Sequence, residues 1–440
     1  MTKGDSVIKK NNVLWVVSSN ILTLLAAVVI GLILPKFVSY ETYAGYRTYT
    51  LYIGFASLFH LGLVNGVALK FGDTDYRDLP RGRFRSYIIA LIIMQLCVQA
   101  ILFLCYLAFG TASGRGFYIT PILFVIINLL FTNLRHFFST VDRFSARFST
   151  DSRLLVFYDF LQVLGFAVLI ALKTDRWLYY LLYITGINVL IFAAYFAGNR
   201  ELFFADAKRD VTAPSDLIEC IRRGSFVMLG EMIGIGILGA DSIFAQLFFD
   251  DRHFSEYTFA VYIIVAAYTL MSAADNLVFP YLKRLDDGDM KGSYKKLRLF
   301  AILMSAVMLL GILLIRPLIG VFIPAYTGSG PLLMILGGTL IFRALQGLAC
   351  GNFFRALDME KEYFFTNVFA LVLAVVSDAA AFLIFGDLSA IAVASVVVFA
   401  IWFVLSDGLI SKKLGCKTDY GLYVLTILIL GAFYLCARLF

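Results

Sequence analysis

Residues 86–109 read SYIIALIIMQLCVQAILFLCYLAF and carry no charged side chain. An apolar stretch of this length crosses the hydrocarbon core of a bilayer as one helix, which needs about 20 residues. Similar blocks fill most of the 440 residues, giving 61% apolar residues and a mean hydropathy of +0.86. The sequence therefore predicts an all-α polytopic membrane protein, because a soluble domain is roughly half apolar.

Apolar blocks between polar breaks predict thirteen transmembrane helices in two similar sets and a remainder. The first set lies near 13–34, 44–69, 86–109, 117–140, 154–172 and 177–197, and the second near 225–248, 257–281, 297–320, 331–353, 363–385 and 388–410. In each set a long basic loop joins the second and third helices, which predicts two equivalent six-helix lobes, a recurrent transporter plan. The predicted divisions are an N-terminal lobe at 1–200, a cytoplasmic linker at 201–224, a C-terminal lobe at 225–411, and a loop with an accessory helix at 412–440.

Lysine and arginine are distributed unequally between alternate loops. The N-terminal tail and the loops on the same side of the membrane hold 27 of these residues, and the loops on the other side hold 6. By the positive-inside rule, the loops richer in lysine and arginine and the N-terminus lie in the cytoplasm, and we expect a multi-pass inner-membrane protein. The net charge of +7 is spread over short loops, so no nucleic-acid partner is predicted. Six dispersed cysteines predict neither a disulfide framework nor a metal site, and no cofactor is expected.

Ionisable side chains inside the predicted helices mark candidate functional positions, because at membrane depth they normally face a cavity or a partner. The basic candidates bind phosphate well, since guanidinium groups fork onto its oxygens; they are Arg47, Arg135 and Arg343. The acidic candidates, assigned to coupling or gating, are Asp159, Glu231, Asp241, Asp275 and Asp378. Gln95 and Gln99 lie one turn apart and are candidate ligands for sugar hydroxyls.

Structural roles compete with each of these assignments. Arg47 and Asp275 lie near helix ends, where charged side chains reach the interface without a function. Arg135, Asp159 and Glu231 are also candidates for ion pairs that only hold helices together. The two glutamines are equally suited to hydrogen bonds between helices. Arg343, near the middle of the tenth helix, is the hardest to explain structurally.

Several short motifs carry a family resemblance across helices 1 to 12. They are Ala44-Gly45-Tyr46, Leu61-Gly62-Leu63, the segment FPYLKR at 279–284, and the segment FIPAY at 322–326 followed by the apolar 332–336. With these motifs the chain resembles the polysaccharide transport family of the MOP flippase superfamily, specifically the Wzx-type repeat-unit flippases. Ala325 stands where that family usually has glycine, a departure that concerns loop geometry.

The resemblance implies a V-shaped bundle with a cationic central cavity exposed alternately to the two sides. Its substrate would be an undecaprenyl-diphosphate-linked oligosaccharide used to build O-antigen, lipopolysaccharide, capsule or exopolysaccharide. Membrane lipids, a polymerase and a chain-length regulator of the same pathway are the further candidate partners. Coupling to H⁺ or Na⁺ is left open.

Three rival functions are weighed against a flippase. A MATE-like drug antiporter would have a net acidic cavity, and Glu231, Asp241 and Asp378 are consistent with this alternative. A membrane glycosyl polymerase or ligase would need a long outer loop, whereas the outer loops here are short. A non-transporting scaffold leaves the buried charges unexplained.

Overall fold

The computed structural model describes residues 10–72, 74–112, 120–145, 147–204, 214–282, 287–416 and 419–439. Its first helices are α1 (Lys10–Phe37), α2 (Tyr40–Ile53), α3 (Leu63–Phe71), α4 (Arg81–Ala112), α5 (Pro121–Phe144), α6 (Phe148–Ala171), α7 (Trp177–Gly198) and the short α8 (Arg200–Phe204). The remainder are α9 (Pro214–Phe248), α10 (Asp251–Leu282), α11 (Asp287–Phe322), α12 (Ser329–Gly337), α13 (Thr339–Ala344), α14 (Asn352–Ala356), α15 (Glu360–Phe385), α16 (Leu388–Leu414) and α17 (Tyr420–Leu439).

The predicted all-α membrane class is confirmed. Each of the thirteen predicted apolar blocks contains a helix or a run of consecutive helices. Within the described residues, ten helices are long and apolar enough to cross a bilayer, or eleven if a bent pair counts as one span. The chain is a multi-pass membrane protein. α9 begins at Pro214, so residues 214–224 of the predicted linker are helical, while 205–213 lie outside the described residues.

The chain divides into two compact units, Met1–Ile235 and Gly236–Phe440, called unit 1 and unit 2 below. In unit 1, aromatic and aliphatic side chains of α3, α4, α5 and α7 form the core, including Phe84, Tyr87 and Phe138. In unit 2, the core lies around α11, α13 and α14 and includes Tyr294, Leu348 and Phe353. The segment Ser329–Ala356 is central in unit 2, because 83% of its apolar 18-residue stretch is buried.

The predicted helix near 44–69 is not continuous. α2 and α3 are separated by a 3₁₀ turn at Ala56–His60 and bend by 59°. The cause is two successive residues in the left-handed region, Leu61 at φ 51° and Gly62 at φ 85°. Glycine carries no Cβ and adopts this conformation easily, so the chain turns there and a new helix begins at Leu63.

The bend leaves backbone carbonyls without helical partners inside the membrane, where each must be satisfied by the protein. Gln95 Nε2 donates to the carbonyl of Phe59 at 2.7 Å, and Asn133 Nδ2 donates to that of Ala56 at 3.0 Å. Asn133 also donates to Gln95 Oε1 at 2.9 Å. These amides on α4 and α5 therefore stabilise the broken span.

The tenth predicted block is also interrupted, although it was expected to be one helix. α12 ends at Gly337, α13 follows, and a π-helical segment covers Leu345–Gly351 before α14. π-Helical turns are rare and occur often at functional sites. Arg343 lies two residues before the start of this segment.

The last helix, α17, hydrogen-bonds to a buried ion pair between α11 and α16. Arg298 Nη1 lies 2.6 Å from Oδ1 of Asp407, and both side chains are almost fully buried. The hydroxyl of Tyr423 on α17 donates to the other carboxylate oxygen at 2.8 Å. Tyr294 donates to Oδ1 at 2.7 Å, so every charge in this cluster has a partner. The arrangement joins α11, α16 and α17.

Candidate functional site

A cavity of about 260 Å³ lies in unit 1 and has basic and polar walls. Three of its side chains come from one face of α5, spaced four residues apart: Arg135, Ser139 and Arg143. Residues at this spacing stack above one another on a helix. His136 and Asn133 also line the cavity, beside the apolar Ile53, Ala56 and Leu155.

Arg135 has a guanidinium that the protein does not neutralise by direct pairing within the described residues. Its Nε is buried without a hydrogen-bond partner there, and its Cζ lies 5.1 Å from the centre of the Tyr158 ring. Asp159 interacts with it electrostatically, but no ion pair within 4 Å joins the two in the described part of the chain. A contact with an aromatic face does not use the N–H donors of a guanidinium, so Arg135 still has donors for an anion.

Arg143 is held in place by Asp151, at the beginning of α6. Its Nε lies 2.7 Å from Oδ2 of Asp151, while Ser139 Oγ and Tyr195 Oη donate to Oδ1 at 2.5 and 2.7 Å. The Asp151 side chain is buried, but that of Arg143 remains 57% exposed. One carboxylate thus orients a hydroxyl and a guanidinium at the cavity wall.

The donor set of this cavity suits a phosphate group. Guanidinium groups donate two parallel hydrogen bonds to phosphate oxygens and stay charged. The Ser139 hydroxyl and the Asn133 amide already donate to protein acceptors, so the two guanidinium groups supply the charged donors for a ligand. With its volume of about 260 Å³, the cavity is smaller than a typical pocket for a whole ligand, which is about 300–1,000 Å³.

Other residues predicted in unit 1 lie apart from this donor set or already have partners. Asp159 accepts a hydrogen bond from Thr23 Oγ1 on α1. Glu231 is exposed on α9 and accepts from Asn65 Nδ2 at 3.3 and 3.4 Å. Arg47 is half-buried on α2. Gln99 donates to the carbonyls of Ile126 and Ile127 at 2.7 and 3.1 Å, so its amide, like that of Gln95, serves the helices themselves.

Arg343 is a buried cation in unit 2, with a side chain that is 6% exposed. Its Cζ lies 5.0 Å from the ring centre of Phe399 and 5.7 Å from that of Tyr268. Asp241 interacts with it electrostatically. Among the described residues, Nε of Arg343 has no hydrogen-bond partner.

Two predicted carboxylates come together in unit 2. Asp241 Oδ2 accepts from Tyr257 Oη at 2.7 Å and from Ser395 Oγ at 3.2 Å. Asp378 is 1% exposed, interacts electrostatically with Asp241, and has an Oδ1 atom without a partner in the described structure. Asp275 belongs to α10, but its side chain lies outside the described residues. Four residues of this unit were predicted as functional, and three of them, Asp241, Asp378 and Arg343, interact with one another in the structure.

Sequence reasoning did not select Arg143, Ser139 or Asp151. The predicted helix near 117–140 ends before Arg143, whereas α5 continues to Phe144. The signal that was available is the four-residue spacing from Arg135 through Ser139 to Arg143. Asp151 carried no local signal, because its three partners come from α5 and α7.

Comparison with known proteins places the fold. No protein-family model matches the chain, and no curated protein matches its sequence. Among solved structures, the lipid II flippase MurJ in an inward closed conformation aligns with a TM-score of 0.69 at 12% identity, over 97% of this chain and 98% of that one. A multidrug resistance MATE transporter in an outward-facing conformation aligns with a TM-score of 0.58 at 14% identity, over 94% and 99%.

A third similar structure is a MOP superfamily transporter from Pyrococcus furiosus with a binding pocket of reversed polarity. It aligns with a TM-score of 0.59 at 13% identity, covering 94% of this chain and 99% of that one. All three matches extend over nearly the whole length of both proteins. The chain therefore has the fold of MOP superfamily transporters.

Proposed function

We propose that this chain is a flippase for undecaprenyl-diphosphate-linked oligosaccharides. It moves repeat units from the cytoplasmic to the outer leaflet of the bacterial inner membrane by alternating access, for O-antigen, capsule or exopolysaccharide synthesis, and it catalyses no covalent reaction. The N-terminus lies in the cytoplasm, as the distribution of lysine and arginine favours. Fold similarity to a lipid II flippase supports the proposal.

The observation that carries the proposal is the unit 1 cavity with Arg135 and Arg143 in its wall. The diphosphate is the anionic group that every such substrate carries, and two guanidinium groups match it in charge. The small volume suits a diphosphate and leaves the saccharide outside this cavity. Arg47, Arg343, Gln95 and Gln99 are retained as proposed contacts to the rest of the head group, although both glutamine amides already bind backbone carbonyls.

Physical chemistry explains why a carrier is needed at all. A saccharide and a diphosphate lose their hydration in hydrocarbon, and each unpaired polar group costs several kcal/mol. The lipid tail pays no such penalty and stays in the bilayer. A protein that binds only the polar head therefore removes the barrier.

The carboxylates of unit 2 are proposed to couple transport to a cation. Asp241 and Asp378 interact while buried, so binding H⁺ or Na⁺ between them relieves like-charge repulsion. Glu231, Asp159 and Asp275 are proposed to take part in gating. The same carboxylate pair is the observation that favours the second candidate function, a MATE-like cation-coupled drug antiporter.

A deletion strain of a host that makes the surface polysaccharide separates the two functions. The flippase proposal predicts loss of surface polymer, accumulation of lipid-linked repeat units, and unchanged sensitivity to cationic drugs. Complementation with Arg135→Ala should restore little polymer and Arg135→Lys should restore part of it. Arg77→Ala, which removes an exposed charge from a loop of the same unit, should complement fully. Normal polymer with increased drug sensitivity would instead favour the antiporter.

A further inference from the structure

A groove of about 710 Å³ runs between α15 and α16 on the surface of unit 2. Its walls are apolar and largely exposed, with Phe365 68%, Phe369 47% and Val404 48% accessible. Gly408 lies in the groove, and a Cβ at this position would meet no heavy atom within 4 Å. The groove is therefore empty of protein atoms at that point.

One end of this groove is basic. Lys361, near the beginning of α15, and Lys412, near the end of α16, both line it and are exposed. Neither forms an ion pair with the described residues. Glu362 lines the same end, so the local charge sums to one positive unit when all three groups are ionised.

The order of these groups along the groove matches the order of groups in a phospholipid. The lysines lie where the helices leave the membrane, at the side that the positive-inside rule assigns to the cytoplasm. The apolar walls continue from that end into the span. Basic pockets between transmembrane helices on this side are suited to anionic head groups.

We infer that the groove between α15 and α16 binds an anionic phospholipid of the cytoplasmic leaflet. Lys361 and Lys412 contact the head-group phosphate, and one acyl chain lies along Phe365, Phe369 and the open surface at Gly408. Charge complementarity selects this occupant over a zwitterionic lipid. The volume of about 710 Å³ lies in the range of about 300–1,000 Å³ typical of ligand sites. The inference is independent of the transported substrate.

Native mass spectrometry of the full-length protein in detergent tests the inference. The probes are phosphatidylglycerol and phosphatidylethanolamine with identical acyl chains, and inorganic phosphate at the same concentration. The variants are Lys361→Gln, Lys412→Gln, their double, and Gly408→Phe, which places a ring in the groove. Lys413→Gln is the matched control, because it removes an exposed charge from the neighbouring position.

We expect preferential retention of phosphatidylglycerol by the wild type and by Lys413→Gln. Each groove lysine variant should bind it roughly five-fold more weakly, the effect of one basic residue near an anionic surface. Gly408→Phe should weaken both lipids, since the ring occupies the acyl-chain position. Equal binding of the two lipids, equal losses in Lys412→Gln and Lys413→Gln, or displacement of lipid by inorganic phosphate would overturn the inference.

Discussion

Nε of Arg143 lies 2.7 Å from Oδ2 of Asp151, and this contact fixes a half-exposed guanidinium beside Arg135 in the unit 1 cavity. Asp151 is buried and also accepts hydrogen bonds from Ser139 and Tyr195. The carboxylate therefore positions Arg143 and does not itself face an anionic ligand as a free charge. Substituting Arg143 tests phosphate binding itself, whereas substituting Asp151 tests only how Arg143 is positioned.

Arg143→Ala should reduce affinity for undecaprenyl diphosphate about tenfold. A hydrogen bond to a charged group contributes about 1.5–3 kcal/mol, and 1.4 kcal/mol is a factor of ten in affinity. The affinity for undecaprenyl monophosphate should fall less in this variant, because that lipid has fewer phosphate oxygens to contact Arg143. Asp151→Asn should weaken the diphosphate preference without abolishing binding. Binding that is unchanged in Arg143→Ala would exclude this residue from the diphosphate site.

The pair of Arg298 and Asp407 should be essential for stability. Arg298→Met leaves a buried carboxylate without its cation, which costs about 3–5 kcal/mol. The double variant Arg298→Met, Asp407→Leu should recover much of that loss, because no buried charge is left unpaired. Equilibrium unfolding in mixed micelles measures both effects, with the exposed Lys296→Met as a control. Equal destabilisation by Arg298→Met and Lys296→Met would contradict the assignment.

Gly66→Ala should destabilise unit 1 by about 1–3 kcal/mol through overpacking. A Cβ on Gly66 would lie 2.5 Å from the carbonyl carbon and 2.9 Å from the Cα of Cys220. Both are backbone atoms, so a side-chain rotation cannot relieve the contact. Gly186→Ala is the matched control, because a Cβ there meets nothing within 4 Å. Unfolding of the two variants should differ clearly, and similar values would show that the approach of α3 to α9 is looser than described.

The ion pair of Lys295 and Asp419, just before α17, should make a small contribution to stability that depends on pH. The hydrogen bond from Lys295 Nζ, 3.1 Å from Oδ2 of Asp419, lowers the pKa of that carboxyl below its ordinary value. A lowered folded-state pKa adds stability above the unfolded pKa, and this contribution is lost as the pH falls through the folded value. Lys295 is 68% exposed, so the pair contributes only about 0.5 kcal/mol. Lys295→Met should therefore be less stable than the wild type at pH 7 and equal to it in acid. A constant difference at all pH values would assign the effect to packing.

Hydropathy predicted the helices because membrane helices are apolar over a nearly fixed length. It did not predict the bend at Leu61, because the sequence does not show that this leucine adopts a φ of 51°. Gly62 was the one residue there that favours a turn, and a single glycine is common in membrane helices. The burial of Arg343 followed from its depth in the tenth block. Hydropathy ends a helix near its charges, whereas the backbone continues as α5 past Arg143 and begins α11 well before Arg298. Asp407 lies within the predicted helix at 388–410, but nothing in the sequence pairs it with Arg298. Their partners lie far away in sequence, and no local pattern identifies them.

Reconstitution tests the central claim most directly. The protein is placed in liposomes with undecaprenyl-diphosphate-linked oligosaccharide, and the saccharide that becomes accessible to an external glycosidase is followed over time. The wild type should translocate the substrate, and the double variant Arg135→Ala, Arg143→Ala should retain less than about a tenth of the rate. Arg77→Ala should match the wild type. Absence of translocation by correctly folded wild type, or full translocation by the double variant, would contradict the account.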